Sequence, residues 1–166
     1  MAVSRAGLLR GRFRADPNAI RPPWASADAQ AFASACDACG RCGPACPEGI
    51  IAFDRIGRPQ IDFSKGGCTF CGACADRCPT GALSRLDGAR PWGLVAEIGA
   101  ACLSLAGTDC RMCHDHCDPA AIHFRPLGRG RWLPTIEEAD CTGCGACVAV
   151  CPVGAVSVEA RWGKEA

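Results

Sequence analysis

Sixteen cysteines in a chain of 166 residues fall into four quartets, and three of the quartets repeat one spacing. These are Cys36-x2-Cys39-x2-Cys42-x3-Cys46-Pro47, Cys68-x2-Cys71-x2-Cys74-x3-Cys78-Pro79 and Cys141-x2-Cys144-x2-Cys147-x3-Cys151-Pro152. The remaining four, Cys102-x7-Cys110-x2-Cys113-x3-Cys117, stretch the same pattern and carry their proline one residue late, at Pro119. Three thiolates this close in sequence can wrap one [4Fe-4S] cluster and hold three of its irons. The fourth iron must then be reached from another direction, and the x3-Cys-Pro arm turns the chain away to do so.

This is the spacing of bacterial two-cluster ferredoxins, in which the fourth cysteine of each run ligates the other cluster. Applied to this chain, the rule places Cys36, Cys39 and Cys42 with Cys78, and Cys68, Cys71 and Cys74 with Cys46. In the second pair it joins Cys141, Cys144 and Cys147 to Cys117, and Cys102, Cys110 and Cys113 to Cys151. The expected cofactors are therefore four [4Fe-4S] clusters. Small residues between the ligands, among them Gly40, Gly72, Gly143 and Gly145, let the backbone fold tightly and aim amide N–H groups at sulfur.

Two other chemistries use cysteine in even numbers. A disulfide framework goes with a secretory leader, and the N-terminal residues carry no such pattern. Structural zinc uses paired C-x2-C knuckles that close four ligands on one ion, whereas three cysteines in x2, x2 succession suit a multi-iron cluster.

Hydrophobic residues make up 49% of the chain, but Ala and Cys inflate that figure: there are only six Phe, four Trp and no Tyr. The clusters are expected to help form the core, so the iron-free chain is expected to be largely unfolded or molten. The formal charge of +1 counts the cysteines as neutral. Sixteen thiolates around four oxidised clusters, each with a formal 2+ core, contribute about 8 negative charges and leave the loaded protein near −7. Arg41, Arg77 and Arg111 stand in or beside ligand loops, either raising the potential of a nearby cluster or simply solvated.

The elements that position the quartets are an arm and two related halves. Residues 1–35 carry Arg5, Arg10, Arg12, Arg14 and Arg21 against Asp16 and Asp28. The opening Ser4 to Leu9 loosely matches a twin-arginine export signal but lacks the second arginine and a following apolar stretch, so the chain is read as not exported. The tails Cys46-Pro47-Glu48-Gly49, Cys78-Pro79-Thr80-Gly81 and Cys151-Pro152-Val153-Gly154 repeat, with Cys117-Asp118-Pro119-Ala120 as a degenerate copy. Fourth cysteines lie 32 residues apart in the first half (46 to 78), 34 in the second (117 to 151) and 39 between halves (78 to 117). A boundary near 84–95 follows. The expected organisation is a basic arm over 1–35, a ferredoxin-like domain over 36–90 and another over 91–166, an α+β fold with two clusters per domain. Ile50 to Phe53 and Pro59 to Phe63 predict a hairpin, which Ala121 to Phe124 and Trp132 to Ile136 repeat. Leu94, Ile98, Ala101 and Leu105 sit at helical spacing and predict a linker helix within Trp92 to Leu105, too short to cross a bilayer.

If the pairing holds, every iron has a thiolate and none is left open for a substrate. One-electron transfer, or a structural or maturation role, then follows rather than chemistry at a cluster, and the chain is not expected to be an enzyme. His114 and His116 flank ligands of the irregular quartet and are read chiefly as neighbours rather than ligands. His123 carries no signal. Trp24, Trp92, Trp132 and Trp162 are read as packing or cluster-shielding residues rather than a nucleic-acid stacking face, because the excess basic charge is confined to the arm. No phosphate loop or dinucleotide fingerprint accompanies the clusters.

The basic opening Ser4 to Arg12, the segment Ile20-Arg21-Pro22-Pro23-Trp24, the four cluster motifs and the stretched third quartet beginning Gly99-Ala100-Ala101-Cys102-Leu103 together resemble the NapF family. These are ferredoxin-type accessory proteins of periplasmic nitrate reductase systems. The likeness covers essentially the whole chain; the arm, the Arg-Pro-Pro-Trp segment and the irregular quartet are its specific part. It implies a cytoplasmic protein that contacts the precursor of the nitrate reductase catalytic subunit before export and assists its maturation. The five extra residues between Cys102 and Cys110 depart from the regular pattern and bear on the ligand there.

Within that reading the protein supplies electrons, holds the precursor, or donates a cluster, and complete cysteine ligation disfavours donation. Pro22-Pro23-Trp24 behind five arginines is read either as a docking device for a partner or as an arm folded back on its own clusters. The alternatives are a general electron-transfer ferredoxin, or an electron-transfer subunit of a larger oxidoreductase.

Overall fold

The computed structural model describes residues 19–26, 28–85 and 91–160. Most of the basic arm, including Arg5 to Arg14, and Trp162 lie outside the described residues. The chain runs through α1 (Ala29–Ala35), α2 (Cys42–Ala45), β1 (Ile51–Phe53), β2 (Pro59–Ile61), α3 (Ala73–Asp76), β3 (Leu94–Ile98), α4 (Met112–Asp115), β4 (Ile122–Gly128), β5 (Arg131–Ile136), α5 (Ala146–Ala149) and β6 (Val156–Ala160). Four of these helices, α2 to α5, are single turns, each carrying the third cysteine of its quartet: Cys42, Cys74, Cys113 and Cys147. All four cysteines are buried.

The strands form three two-stranded antiparallel sheets, β1 with β2, β4 with β5 and β3 with β6. Both predicted hairpins are present, the second longer than its sequence pattern indicated. Ile51 stands opposite Ile61 in one, and Ile122 opposite Ile136 in the other. The predicted linker helix is not. Residues 94–98 are a strand that pairs with β6, Leu94 opposite Ala160 and Ile98 opposite Val156. Leu94, Val95 and Ala96 are buried in succession, as in a strand covered on both faces, and such a short apolar run has no periodicity that separates strand from helix. The first half has a reduced counterpart of this pairing, a single bridge between Ala25 and Leu83.

Cysteines from all four quartets are woven into two apolar cores. Phe32, Ile51, Ala82 and Leu83 close around Cys42 and Cys74 in the first half. Val95, Ala96, Ala121, Ile122 and Val156 close around Cys113, Cys141 and Cys147 in the second. A third core of Phe63, Trp92, Leu94 and Val158 lies between them and draws residues from both halves.

Pro22 and Pro23 are fully buried. Trp24 is held on both sides, its N–H donating to the Pro91 carbonyl at 2.7 Å and its carbonyl accepting from the Ser84 N–H at 3.1 Å. This part of the arm is folded back on the body of the protein, the second of the two readings above.

Candidate metal centres

The ligand loops repeat in backbone conformation more faithfully than in sequence. Two residues after the first cysteine of each regular quartet the chain is left-handed: Ala38 at φ 56°, Phe70 at 54° and Gly143 at 70°. Side chains rarely adopt this conformation, so Ala38 and Phe70 are held there by the rest of the loop. Three residues after the fourth cysteine the same happens at Gly49, Gly81 and Gly154, and also at Ala120 with φ 55°. The Ala120 N–H donates to the Cys117 carbonyl at 2.8 Å, as Gly49 does to Cys46 and Gly154 to Cys151. The degenerate copy is therefore the same turn.

Folded in this way, the loops gather thiols from two quartets at a time. Cys36, Cys39, Cys42 and Cys78 line one cavity, with Phe32, Pro59 and Leu83 on its walls. We call it site A. Cys46, Cys68, Cys71 and Cys74 line a second, site B, which Pro23 and Trp24 help to close. Cys117, Cys141, Cys144 and Cys147 line a third, site C, with His116 and Pro119. Each set holds three cysteines of one quartet and the fourth of its neighbour. Around site D, Cys102, Cys110 and Cys113 lie close enough for their charges to interact. Cys151 packs against the core that contains Cys113.

The five extra residues of the stretched quartet form a compact turn of their own. The Leu105 N–H donates to the Cys102 carbonyl and the Thr108 N–H to the Leu103 carbonyl. Ser104 is fully buried at its centre. The insert is thus absorbed locally, and Cys102 still reaches Cys110 and Cys113.

Electrostatics make the need for a cation plain. Burial pushes the Cys68 thiol up to about 11 and Cys74 to about 12, with repulsion from neighbouring thiols adding to it. Cys113 rises to about 11 and Cys147 to about 12 for the same reasons, and Cys42 is also raised, chiefly by burial. Cys78 goes the other way: burial raises it, but hydrogen bonds from Leu83, Thr80 and Ala82 together hold it below the ordinary thiol range. Amides are aimed at sulfur in both halves, Leu83 N–H to Cys78 at 3.4 Å, Phe70 to Cys68 at 3.4 Å, Ala96 to Cys141 at 3.5 Å and Ala155 to Cys151 at 3.1 Å. Sulfurs that cannot ionise alone, set around cavities and met by amide dipoles, fit an iron-sulfur cluster. Among the described residues no group of three or more His, Cys, Asp or Glu side chains is placed to hold a single metal ion.

The neighbouring residues named from sequence find ordinary partners. His114 places Nδ1 2.6 Å from the Ile122 carbonyl and His116 places Nδ1 3.0 Å from the Met112 carbonyl. The Arg111 guanidinium lies 4.4 Å from the Trp132 ring centroid and pairs with Asp109 at 3.6 Å. Arg77 lines site A. What the sequence reading missed is the seam between sites B and C, built by Phe63, Phe70 and Trp92; only the doublet Gly66-Gly67 before Cys68 hinted at a close approach.

Residues 35–82 and 108–155 each match the 4Fe-4S dicluster domain family. Two such domains carry four [4Fe-4S] clusters. Over 157 residues the chain is 43% identical to the ferredoxin-type protein NapF of Escherichia coli strain K12, covering 95% of this chain and 94% of that one. It is 38% identical over 167 residues to the ferredoxin-type protein NapF of Haemophilus influenzae, with 95% and 94% covered. To the methylamine utilization ferredoxin-type protein MauM of Paracoccus denitrificans it is 34% identical over 174 residues, covering 94% of this chain and 77% of that one.

Proposed function

The chain belongs to the NapF family of ferredoxin-type proteins, and from that premise we propose that it supplies electrons to, or holds, the precursor of the periplasmic nitrate reductase catalytic subunit in the cytoplasm before export. In this reading Cys36, Cys39, Cys42 and Cys78 hold the cluster of site A, and Cys68, Cys71, Cys74 and Cys46 that of site B. Cys141, Cys144, Cys147 and Cys117 hold the cluster of site C, and Cys102, Cys110, Cys113 and Cys151 that of site D. When bound, each cluster supplies reversible one-electron storage. The chain's residues supply the rest: thiols that position it, amides that stabilise negative charge on sulfur, and apolar walls that keep water away.

The observation that carries this reading is the gathering of four thiols from two quartets around sites A, B and C. With four thiols for four irons, no iron is open to a substrate, which favours electron carriage over catalysis at a cluster. It also disfavours donating a whole cluster, since all four thiolates of a site would have to let go of it together. Among the described residues no helix is long and apolar enough to cross a membrane, in keeping with a partner met in solution.

A second reading draws on the similarity to MauM, a ferredoxin-type protein named for methylamine utilization. The same four-site architecture would then serve as a general electron-transfer module within a larger oxidoreductase.

Anaerobic capture on the loaded protein separates the two. The maturation reading expects an unprocessed precursor with its export signal intact. Recovery of a finished redox complex, with no precursor, would favour the second.

A further inference from the structure

The two halves touch through their ligand loops. The Cys68 N–H donates to the Cys144 carbonyl at 2.7 Å. One of these residues lines site B and the other site C. From Cys68 Sγ the path runs through Cβ, Cα and the amide N–H, across one hydrogen bond to the Cys144 carbonyl, and through Cα and Cβ to Cys144 Sγ. No other residue intervenes.

The surroundings keep this approach closed. A Cβ at Gly67 would stand 2.8–2.9 Å from the backbone and Cβ of Ala146, so the two loops meet where only a hydrogen fits. A Cβ at Gly145 would enter the Phe63 ring. Trp92 donates its indole Nε1–H to the Thr142 carbonyl at 2.9 Å. Its ring meets Phe63 and Phe70 edge-on, with centroids 5.9 and 5.5 Å away. Cys68 and Val148 pack against the same buried core.

We propose that this seam is an electronic junction, coupling site B to site C so that the two dicluster halves act as one four-site conduit in the order A, B, C, D. Crossed fourth cysteines tie A to B and C to D within the halves, and Cys68 with Cys144 ties the halves together. Transfer across the seam is one electron lost on one side and gained on the other, with no bond made or broken. Ordinary domain interfaces leave their partners free to move. Here the ligand loops themselves are the interface, and buried Phe63 and Trp92 pack beside it, which limits solvent access and lowers local polarity at the two sites. The inference rests on the electron-supply reading above, but it concerns the chain alone and needs no partner.

The test uses the full loaded chain, wild type and Gly67→Val, reduced anaerobically. Gly67 is not a ligand, and valine there pushes Ala146 away. Two quantities are read: hydrogen exchange over residues 64–70, which reports the Cys68 amide, and the spin–spin interaction in the electron paramagnetic resonance spectrum. Opening the seam is expected to speed that exchange about tenfold or more and to remove part of the spin–spin interaction, with iron and sulfide content unchanged. If Gly67→Val loses iron, Trp92→Phe is read in its place; it removes the indole bond to Thr142 and trims the ring that meets Phe63 and Phe70, and is expected to shift both quantities the same way by less. Faster exchange with an unaltered spectrum would overturn the junction, as would a Cys68 amide that is already unprotected in the wild type. Failure of the nitrate reductase reading shows up only in partner capture, so the two failures are distinct.

Discussion

The Ser104 hydroxyl donates to the Cys110 carbonyl oxygen at 2.5 Å, and through that bond the buried centre of the inserted turn is tied to a cysteine of site D. The Ser104 carbonyl in turn accepts from the Trp132 N–H at 3.1 Å, which fastens the turn to β5. One buried serine thus ties the inserted turn both to the stretched quartet and to β5.

Ser104→Ala is expected to leave the Cys110 carbonyl without its buried partner and to cost about 1–3 kcal/mol. The effect should be local. Chelator challenge of the variant is expected to release iron from site D first, with the other three sites retained; uniform loss from all four would contradict a local role.

Removing iron is expected to dissolve most of the fold. Cys42 and Cys74 sit inside one core and Cys113, Cys141 and Cys147 inside the other, so without metal each core is left with a cavity lined by buried thiols. Far-ultraviolet circular dichroism should fall on iron removal and return on reconstitution. A native spectrum in the iron-free chain would show that apolar packing alone suffices.

The raised thiols set opposite pH trends for the loaded and iron-free proteins. Cys68, Cys74, Cys113 and Cys147 ionise at about 11–12 in the fold, against an ordinary 9.0. In the iron-free chain any residual fold should keep its stability up to about pH 9 and lose it between pH 9 and 12, because the unfolded thiols ionise first. Iron loading, in contrast, must expel those protons, so it is favoured as pH rises and opposed as pH falls. Proton release during reconstitution in weak buffer near pH 8 measures this directly. A release that leaves these four thiols unaccounted for would refute it.

Trp92→Ala removes the aromatic hinge of the seam, its indole bond to Thr142 and its contacts with Phe63 and Phe70. For a buried tryptophan the expected cost is about 3–5 kcal/mol. The thermal midpoint should fall, and exchange should rise at residues 63–70 and 141–148 together. A rise confined to one half would mean that Trp92 does not bridge them.

Arg111→Gln is expected to be mild in stability, about 0.5–1 kcal/mol for the stacking on Trp132. Its clearer effect should be a lower reduction potential at the neighbouring site, because a positive charge favours the more negative reduced cluster. A potential that stays the same would mark Arg111 as a packing residue only.

The spacing, read with the crossover rule of two-cluster ferredoxins, anticipated the thiol sets that the fold gathers at sites A, B and C. The hairpins were legible too: alternating apolar residues on either side of Arg55-Ile56-Gly57-Arg58 and of Gly128-Arg129-Gly130 admit little else. Residues 94–98 were not. Their burial pattern depends on β6, more than fifty residues later, and nothing local distinguishes a strand with such a partner from an amphipathic turn.

Composition and cysteine order by themselves determined that this is a four-cluster protein with two homologous halves, since thiol chemistry and loop reach are local properties. Only the tertiary structure decided how the halves meet. That Pro22 and Pro23 are buried, that Ser104 ties the inserted turn to β5, and that Cys68 touches Cys144 all depend on surfaces brought together from distant parts of the chain. Packing complementarity of that kind is a property of two surfaces at once, and neither segment encodes it alone.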